Sequence, residues 1–522
     1  MVRCAIEYAP KPYYTSETPN LGTQIREHLP MEAKKQRITF KIDKVNRFSD
    51  WYNEILSVAE IVDKRYPVKG MEVLLPYGYR THENIMNMLE KILDSDGHQK
   101  LLMPSLIPEE EFKKEAEHVK GFEGEVFWIT HGGLKELDTR LVLRPTSEVP
   151  LYYMFALWIR SHTDLPMKVY QTCTIFRHET RATKPLIRIR EIPWNEAHTA
   201  HSTKEEAELQ IRNAWNYYLE LMRNHLGITG LALIRPIWDR FPGAEYTTVM
   251  DALMPDGRVL QVAGIHNLGQ NFSKIFNITY EDAGGNRRFV YQTCYGVSTR
   301  LMAAMLSIHG DNYGLVIPFD AAPLQVVIIP IVFKGLQERV TDKCLEVEKI
   351  LRNAGIRVKV DDNPNKTPGE KFYYWEMKGV PTRIEIGPGE LDKGNLTVFR
   401  RDTRERTTID EKGCEEYIIE RGKRILESLR GKSEADLQDN IRCAKSFEEL
   451  REYIDKIGGF VKIPFCTADA LTGRECADII KQKTTAEVRG TLFPEPEIAC
   501  ETDKCLVCGQ KAQHYVYVAK AY

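Results

Sequence analysis

Arginines, carboxylates and imidazoles that could together handle a nucleotide and an amine recur in four separated stretches of this chain. The richest is residues 170–201, YQTCTIFRHETRATKPLIRIREIPWNEAHTAH. A β-prone run from Val169 to Phe176 leads into Arg177-His178-Glu179, a polar bend TRATKP follows, and a second extended run carries Arg188, Ile189, Arg190, Glu191, Trp194, Glu196 and His198. Two strands joined by a basic loop would gather these groups in one pocket. There Arg177 can bridge a phosphate bidentately and Glu179 can accept from an amine. In Leu143-Arg144-Pro145-Thr146-Ser147-Glu148 the Thr146 hydroxyl and the Glu148 carboxylate are acceptors for a substrate ammonium. The same residues also read as a helix start, with Pro145 in the first turn and Thr146 or Ser147 as cap.

The third stretch, Tyr291 to Arg300, reads as a strand, a glycine turn at Gly296, and a helix with Ser298 and Arg300 at its start. A helix N-terminus beside a guanidinium suits a polyphosphate tail. The fourth, Gly257 to Phe272, carries a lone imidazole, His266. A different chemistry gathers near the end of the chain. Of the eleven cysteines, Cys466, Cys476, Cys500, Cys505 and Cys508 crowd the last segment. A Cys-x-x-Cys knuckle with two distant cysteines fits tetrahedral structural zinc, with Cys466, Cys476, Cys505 and Cys508 as ligands and Cys500 the odd thiol, able to replace one of them.

Taken as a set, these stretches resemble the class II aminoacyl-tRNA synthetases, and most closely the prolyl-tRNA synthetases of archaeal and eukaryotic type. Residues 170–201 resemble motif 2, with the match running through Trp194-Asn195-Glu196-Ala197-His198. The helix near Thr81–Leu93 and the strand HQKLLMP resemble motif 1, the dimer element of that family, and Tyr291–Arg300 resembles motif 3. Lys113-Lys114-Glu115-Ala116-Glu117-His118 and Gly121-Phe122 continue the pattern around the site. The resemblance implies ATP-dependent attachment of proline to tRNA(Pro) through prolyl-adenylate. Arg177 and Arg300 would be the catalytic residues. Thr146, Ser147, Glu148, Arg177, Trp194, Glu196, His198 and His266 would hold the amino acid. ATP and Mg2+ would fall to Arg177, Glu179, Arg188, Ile189, Gln261, Gly264, Ser298 and Arg300. It further implies a homodimer, structural Zn2+, and a terminal tyrosine, Tyr522, that reaches toward the active site. Two departures stand out. Gly264-Ile265 replaces a usual Thr-Ser, taking two hydroxyls from the pocket and weakening the expected barrier against cysteine or alanine. Cys294-Tyr295 replaces a usual Ser-Trp. The gap between motif 2 and the Gln261 stretch leaves no room for the editing insert of some bacterial relatives.

The supporting elements follow from periodicity. Ile85, Met88, Leu89, Ile92 and Leu93 recur at helical spacing. A helix is expected over 149–161 with Val149, Tyr153, Ala156 and Leu157 as its apolar face. After the proline-punctuated IPFDAAP, strands alternating with helices predict a small α/β domain with a mostly parallel sheet. That domain resembles the anticodon-binding domain of these synthetases, and Lys371, Arg400 and Arg401 are its expected RNA contacts. The fold expected overall is an antiparallel class II sheet flanked by helices (47–318), this α/β domain (324–430) and a small zinc-binding α+β domain (431–522). Residues 1–46 form an extension outside the resemblance, with Met31 as an alternative start.

At 43% hydrophobic and 28% charged over 522 residues, the composition is that of an ordinary multidomain globular protein. A net charge of −2 supplies no global attraction to RNA, so any such contact must be local. No apolar run approaches a membrane span, and the first twenty residues lack an apolar signal core, so the cytoplasm is the expected compartment. Two rival readings keep some force: a synthetase for threonine, glycine or histidine, and a catalytically dead paralogue. The Thr146–Glu148 and Trp194–His198 stretches argue against the first, and retention of Arg177 and Arg300 argues against the second.

Overall fold

The computed structural model describes Phe40, residues 42–114, 123–333 and 335–522. The expectations for most of residues 1–46, and for Glu115 to His118 and Gly121-Phe122, fall outside that set. Lys113 and Lys114 are described. They sit on the short Glu109–Lys114 helix, paired with Glu109 and Glu111, and do not line the cleft described below.

Alternating strands build one sheet of eleven, in the order Ile441–Cys443, Phe460–Phe465, His514–Ala519, Glu487–Leu492, Gly230–Ile234, Tyr246–Leu253, Val259–Gly269, Tyr291–Ser298, Glu191–His201, Met167–Phe176, Gln99–Lys100. Every neighbouring pair is antiparallel except the outermost pair at each edge. The C-terminal strands therefore extend the same sheet that carries the motif strands. At the seam Thr491 and Leu492 pair with Ile234 and Leu233. Close approach there requires Gly490, at φ +129, because a Cβ would lie 1.9 Å from the Ile234 carbonyl oxygen.

One face of the central strands is covered by the Pro76–Ser95, Lys204–Asn224 and Thr299–His309 helices. Ile85, Leu89 and Leu93 are buried in that layer, so the helical periodicity of the first of these is satisfied within the chain. The Glu148–Trp158 helix ends three residues earlier than expected, and its apolar face is different. Val149, Leu151, Tyr152 and Phe155 are buried, whereas Tyr153 and Leu157 are about half exposed. The helix is rotated so that the Tyr152 hydroxyl meets His198 Nδ1 at 3.1 Å.

Beyond residue 323 a five-stranded sheet packs its own core. Val326–Pro330 pairs in parallel with Val358–Val360 and Thr382–Ile386, but Asn395–Arg400 and Arg406–Asp410 join antiparallel, so the sheet is mixed rather than mostly parallel. A short connection after Thr382–Ile386, with no helix long enough for a crossover, forces that reversal. The expected RNA cations are spent internally. Lys371 Nζ donates to the Asp361 carbonyl at 2.8 Å, and Trp375 Nε1 donates to the Asp361 carboxylate at 2.8 Å. Arg401 is fully buried and grips both Asp311 oxygens at 2.7 and 2.8 Å. Arg400 holds Asp402 at 2.6 and 2.7 Å. Buried guanidinium and ammonium groups must be paired, and here protein oxygens supply the partners.

Candidate active site

The floor of the candidate site is written in the period of two along four neighbouring strands. Trp194, Glu196 and His198 alternate onto one face of Glu191–His201. Register carries that face across the sheet: Trp194, Glu196 and His198 lie opposite Ser298, Gly296 and Cys294, and the last two lie opposite Gly264 and His266. A bulge at Met250/Asp251 then shifts the pairing so that Gln261 also reaches the cleft. Gly296 pairs as an ordinary strand residue, so the expected glycine turn is absent. The strand runs into the Thr299–His309 helix at Ser298, whose hydroxyl caps it by accepting from the Arg300 N–H at 3.3 Å. Arg188 is likewise off the strand. It lies in a tight turn in which its N–H and carbonyl pair with Lys184, and Leu186 takes φ 60 at the bend.

A single cleft of about 300 Å³ is lined by Thr146, Glu148, Arg177, Glu179, Arg188, Ile189, Trp194, Glu196, His198, Gln261, Gly264, His266, Ser298 and Arg300. Of the residues singled out from sequence for substrate or nucleotide, Ser147 alone lies behind the lining. It is fully buried, and its hydroxyl and N–H donate to Glu196. Ile265 also turns away, into the hydrophobic core, so only position 264 of the Gly-Ile departure faces the cleft. A Cβ at Gly264 would stand 3.2 Å from His266 Nε2.

One end of the cleft is cationic. Burial and the neighbouring Arg177 and Arg188 push the Arg300 guanidinium down to about 10, still charged at neutral pH. Arg300 Nε is anchored on the Ile187 carbonyl at 2.8 Å and Arg177 Nε on the Pro145 carbonyl at 3.2 Å, which fixes their remaining N–H groups in direction. Arg300 in the first turn of its helix, with Arg177 and Arg188 near enough to repel it, favours a polyanion.

The other end is an acceptor cage. The Thr146 hydroxyl donates to Glu148. Behind it, buried Glu196 accepts from Ser147, from Gln171 Nε2 at 2.7 Å, and from His198 Nε2 at 3.2 Å. Burial alone would raise the Glu196 carboxyl, but these donors, His198 first, hold it below its ordinary value. Burial would likewise lower His198, yet its bond to Glu196 and the nearby Glu148 charge carry it above the usual imidazole value. His266, with Phe241 4.6 Å away ring to ring, is pushed down to about 3 by burial and then by His198, and is neutral.

Several contributors were missed from sequence. Gln171 is fully buried, bridges Ser147 and Glu196, and accepts from the Met103 N–H at 3.0 Å. Its position in the same alternation as Cys173 and Ile175 was the available signal. Arg235, Asp239, Arg240 and Phe241 line the cleft from a connection that has no periodic pattern. Arg235 donates to Gln261 Oε1 at 3.1 Å and to Asp251 at 2.9 and 3.1 Å. Tyr522 lies outside the lining. Its hydroxyl donates to Asp256 at 2.7 Å and its ring stacks under Lys184. Well away in the C-terminal segment, the sulfurs of Cys466, Cys476, Cys505 and Cys508 all lie within 4.8 Å of one another, and Cys500 is not among them.

Three family models match: "tRNA synthetase class II core domain (G, H, P, S and T)" over residues 127–309, "Anticodon binding domain" over 325–421, and "Prolyl-tRNA synthetase, C-terminal" over 447–522. Among curated relatives, a proline–tRNA ligase of Methanopyrus kandleri is 48% identical over 91% of this chain and 96% of its own. One of Methanothermobacter thermautotrophicus is 46% identical over 92% and 97%. Among solved structures, the Giardia lamblia prolyl-tRNA synthetase in complex with prolyl-adenylate superposes with a TM-score of 0.89 at 43% identity, covering 93% of this chain and all of that one. The Cryptosporidium parvum enzyme complexed with halofuginone and AMPPNP gives 0.87 at 34% identity, covering 93% and 99%. With its cleft, its three matched segments and relatives that align along nearly the whole length, the chain belongs to the prolyl-tRNA synthetases, ligases of the class II aminoacyl-tRNA synthetase family.

Proposed function

We propose that this cleft joins proline to tRNA(Pro) in two steps. The proline carboxylate attacks the α-phosphorus of ATP in line and releases diphosphate. The terminal ribose of the tRNA then takes the prolyl group and releases AMP. Neither step needs a covalent enzyme nucleophile, so catalysis comes from positioning and from fixed charge. Arg177 holds the α-phosphate and the proline carboxylate, and Arg300 the β- and γ-phosphates. Glu179, Arg188, Ile189, Gln261, Gly264 and Ser298 seat the nucleotide. Thr146 and Glu148 accept from the secondary ammonium, and Trp194, Glu196, His198 and His266 shape the ring pocket. Ser147 acts from behind, by holding Glu196. The observation that supports this reading most is one cleft that holds three guanidiniums and an ammonium cage, with Arg177 next to Glu148.

Two metals fit the residues present. Glu179 and Asp239 give the cleft the one or two carboxylates that Mg2+ uses alongside substrate phosphates, whose charge it neutralises when bound. The four clustered cysteines suit a structural Zn2+ site in number and donor type. We assign residues 47–318 to catalysis, 324–430 to tRNA recognition and 431–522 to the zinc-bearing segment. A cytoplasmic homodimer is the assembly we favour: Leu102, Leu106, Tyr153, Leu157 and Trp158 are exposed apolar side chains that a second copy could cover.

The test is proline-dependent ATP–diphosphate exchange with Arg177→Ala. Removing a preorganised charge donor of this kind costs about 3 kcal/mol in the transition state. Exchange should therefore fall by two to three orders of magnitude, roughly, while the melting temperature is retained. Near-normal exchange by the folded variant would overturn the assignment.

A further inference from the structure

The register of the cleft floor lines up a row that includes one group, the Cys294 thiol, for which the proposed reaction has no use. His198, Cys294 and His266 face one another across three consecutive strands. All three line the cleft, and His198 and Cys294 are buried. From the start of the Glu148–Trp158 helix, Glu148 reaches the same point. Glu148, His198 and Cys294 each offer a ligand atom within 4.8 Å of the other two. A carboxylate, an imidazole and a thiol is a donor set for a soft or borderline divalent cation rather than for Mg2+. Ligand atoms around tetrahedral zinc sit roughly 3.3–3.8 Å apart, given bonds of about 2.0–2.3 Å. Small side-chain shifts would close the present spacing.

We propose that Glu148, His198 and Cys294 form a second metal site, distinct from the four-cysteine cluster, that takes Zn2+ or a similar thiophilic divalent cation and competes with the amino-acid substrate. Binding displaces the Cys294 thiol proton to solvent. One His198 ring nitrogen exchanges its present partner, Tyr152 or Glu196, for the ion. A fourth position remains for water, with His266 the adjacent imidazole on the row. The competition has a simple origin. Glu148 cannot both bind the cation and accept from an ammonium, and a dication at that point repels the ammonium. The competition arm rests on the proposed proline reaction; the binding arm does not.

Cadmium NMR of the full-length chain tests binding, because four-thiolate and mixed sulfur–nitrogen–oxygen sites differ widely in chemical shift. Two signals are expected. Cys294→Ser should remove only the mixed-ligand signal and Cys508→Ser should perturb only the four-thiolate one, with melting curves run on each variant. Glu148→Gln serves as a second probe of the mixed site should Cys294→Ser fail to fold. In the exchange assay Zn2+ should raise the apparent KM for proline and leave that for ATP unchanged. Within Cys294→Ser, the zinc concentration for half-inhibition relative to its own uninhibited rate should rise roughly 100-fold. The proposal is overturned by a single four-thiolate signal, by a mixed-ligand signal that survives both Cys294→Ser and Glu148→Gln, or by inhibition that proline does not relieve. Absence of any proline-dependent exchange would instead sink the proposed reaction, and the cadmium signals would still decide the site.

Discussion

At the scale of the residue, the acceptor end of the cleft depends on a buried pair whose members lean on each other. Glu196 is held below its ordinary pKa, so what it adds to stability is complete above the unfolded carboxylate value and is lost as pH falls through the folded one. His198 is raised, so its contribution is complete below the unfolded imidazole value and is lost as pH rises through the folded one. The pair therefore supports the fold most between about pH 4.5 and 6.5, the two unfolded values. The melting-temperature gap between the wild type and His198→Gln should be widest in that window and should narrow toward pH 9. A gap independent of pH would mean that His198 is neutral throughout. Much of this neighbourhood was legible in the sequence, because Trp-Asn-Glu-Ala-His places its polar groups at alternate strand positions and Arg-x-Glu follows directly on the end of the neighbouring strand. Gln171 and Tyr152 were not, because an uncharged side chain on a buried strand or helix looks like any other until its partner is known. Lys371, Arg400 and Arg401 misled for the complementary reason: a local sequence shows a cation but not the carboxylate or carbonyl that neutralises it.

At the scale of the element, the seam between the Gly230–Ile234 and Glu487–Leu492 strands ties the C-terminal segment to the cleft. Asp251 is fully buried between two arginines. It accepts from Arg235 at 2.9 and 3.1 Å and from Arg489 at 2.8 and 3.3 Å. Burial would raise its carboxyl, yet the two guanidiniums bring it down to about 2. Asp251→Ala leaves two buried cations without their shared counter-charge and should cost about 3–5 kcal/mol of stability. Because Arg235 lines the cleft and holds Gln261, the KM for ATP should rise as well. Urea unfolding and exchange kinetics on one preparation check both effects; unchanged stability would show that the triad contributes nothing net. Helices with a clear apolar stripe were legible at this scale, as for Pro76–Ser95. The rotated face of Glu148–Trp158 was not, because nearly every position there is apolar and only the tertiary partner of Tyr152 selects the buried side. The mixed sheet after residue 323 was missed on similar grounds, since strand order depends on which connections can cross over.

At the scale of the whole molecule, a continuous sheet means that damage at one end can reach the other. The four-cysteine cluster packs beneath strands that join the cleft sheet through Glu487–Leu492. Cys508→Ser should lower the melting temperature by several degrees and also reduce proline-dependent exchange, and a strong chelator should do the same to the wild type. If stability falls while exchange is untouched, the seam does not transmit the loss. The order of motifs and the cysteine spacing were legible in the chain, but the fusion of its two ends into one sheet was not. Pairing between residues 234 and 491 is a long-range event with no local signature.

The central claim is that guanidiniums and an ammonium cage, drawn together from distant stretches, bend ATP toward a bound imino acid. Amino-acid-dependent ATP–diphosphate exchange, run against each of the twenty amino acids in turn, tests it most directly. Proline should give the dominant rate, with cysteine and alanine trailing. Exchange driven mainly by threonine, glycine or histidine, or by none of the twenty, would contradict the account.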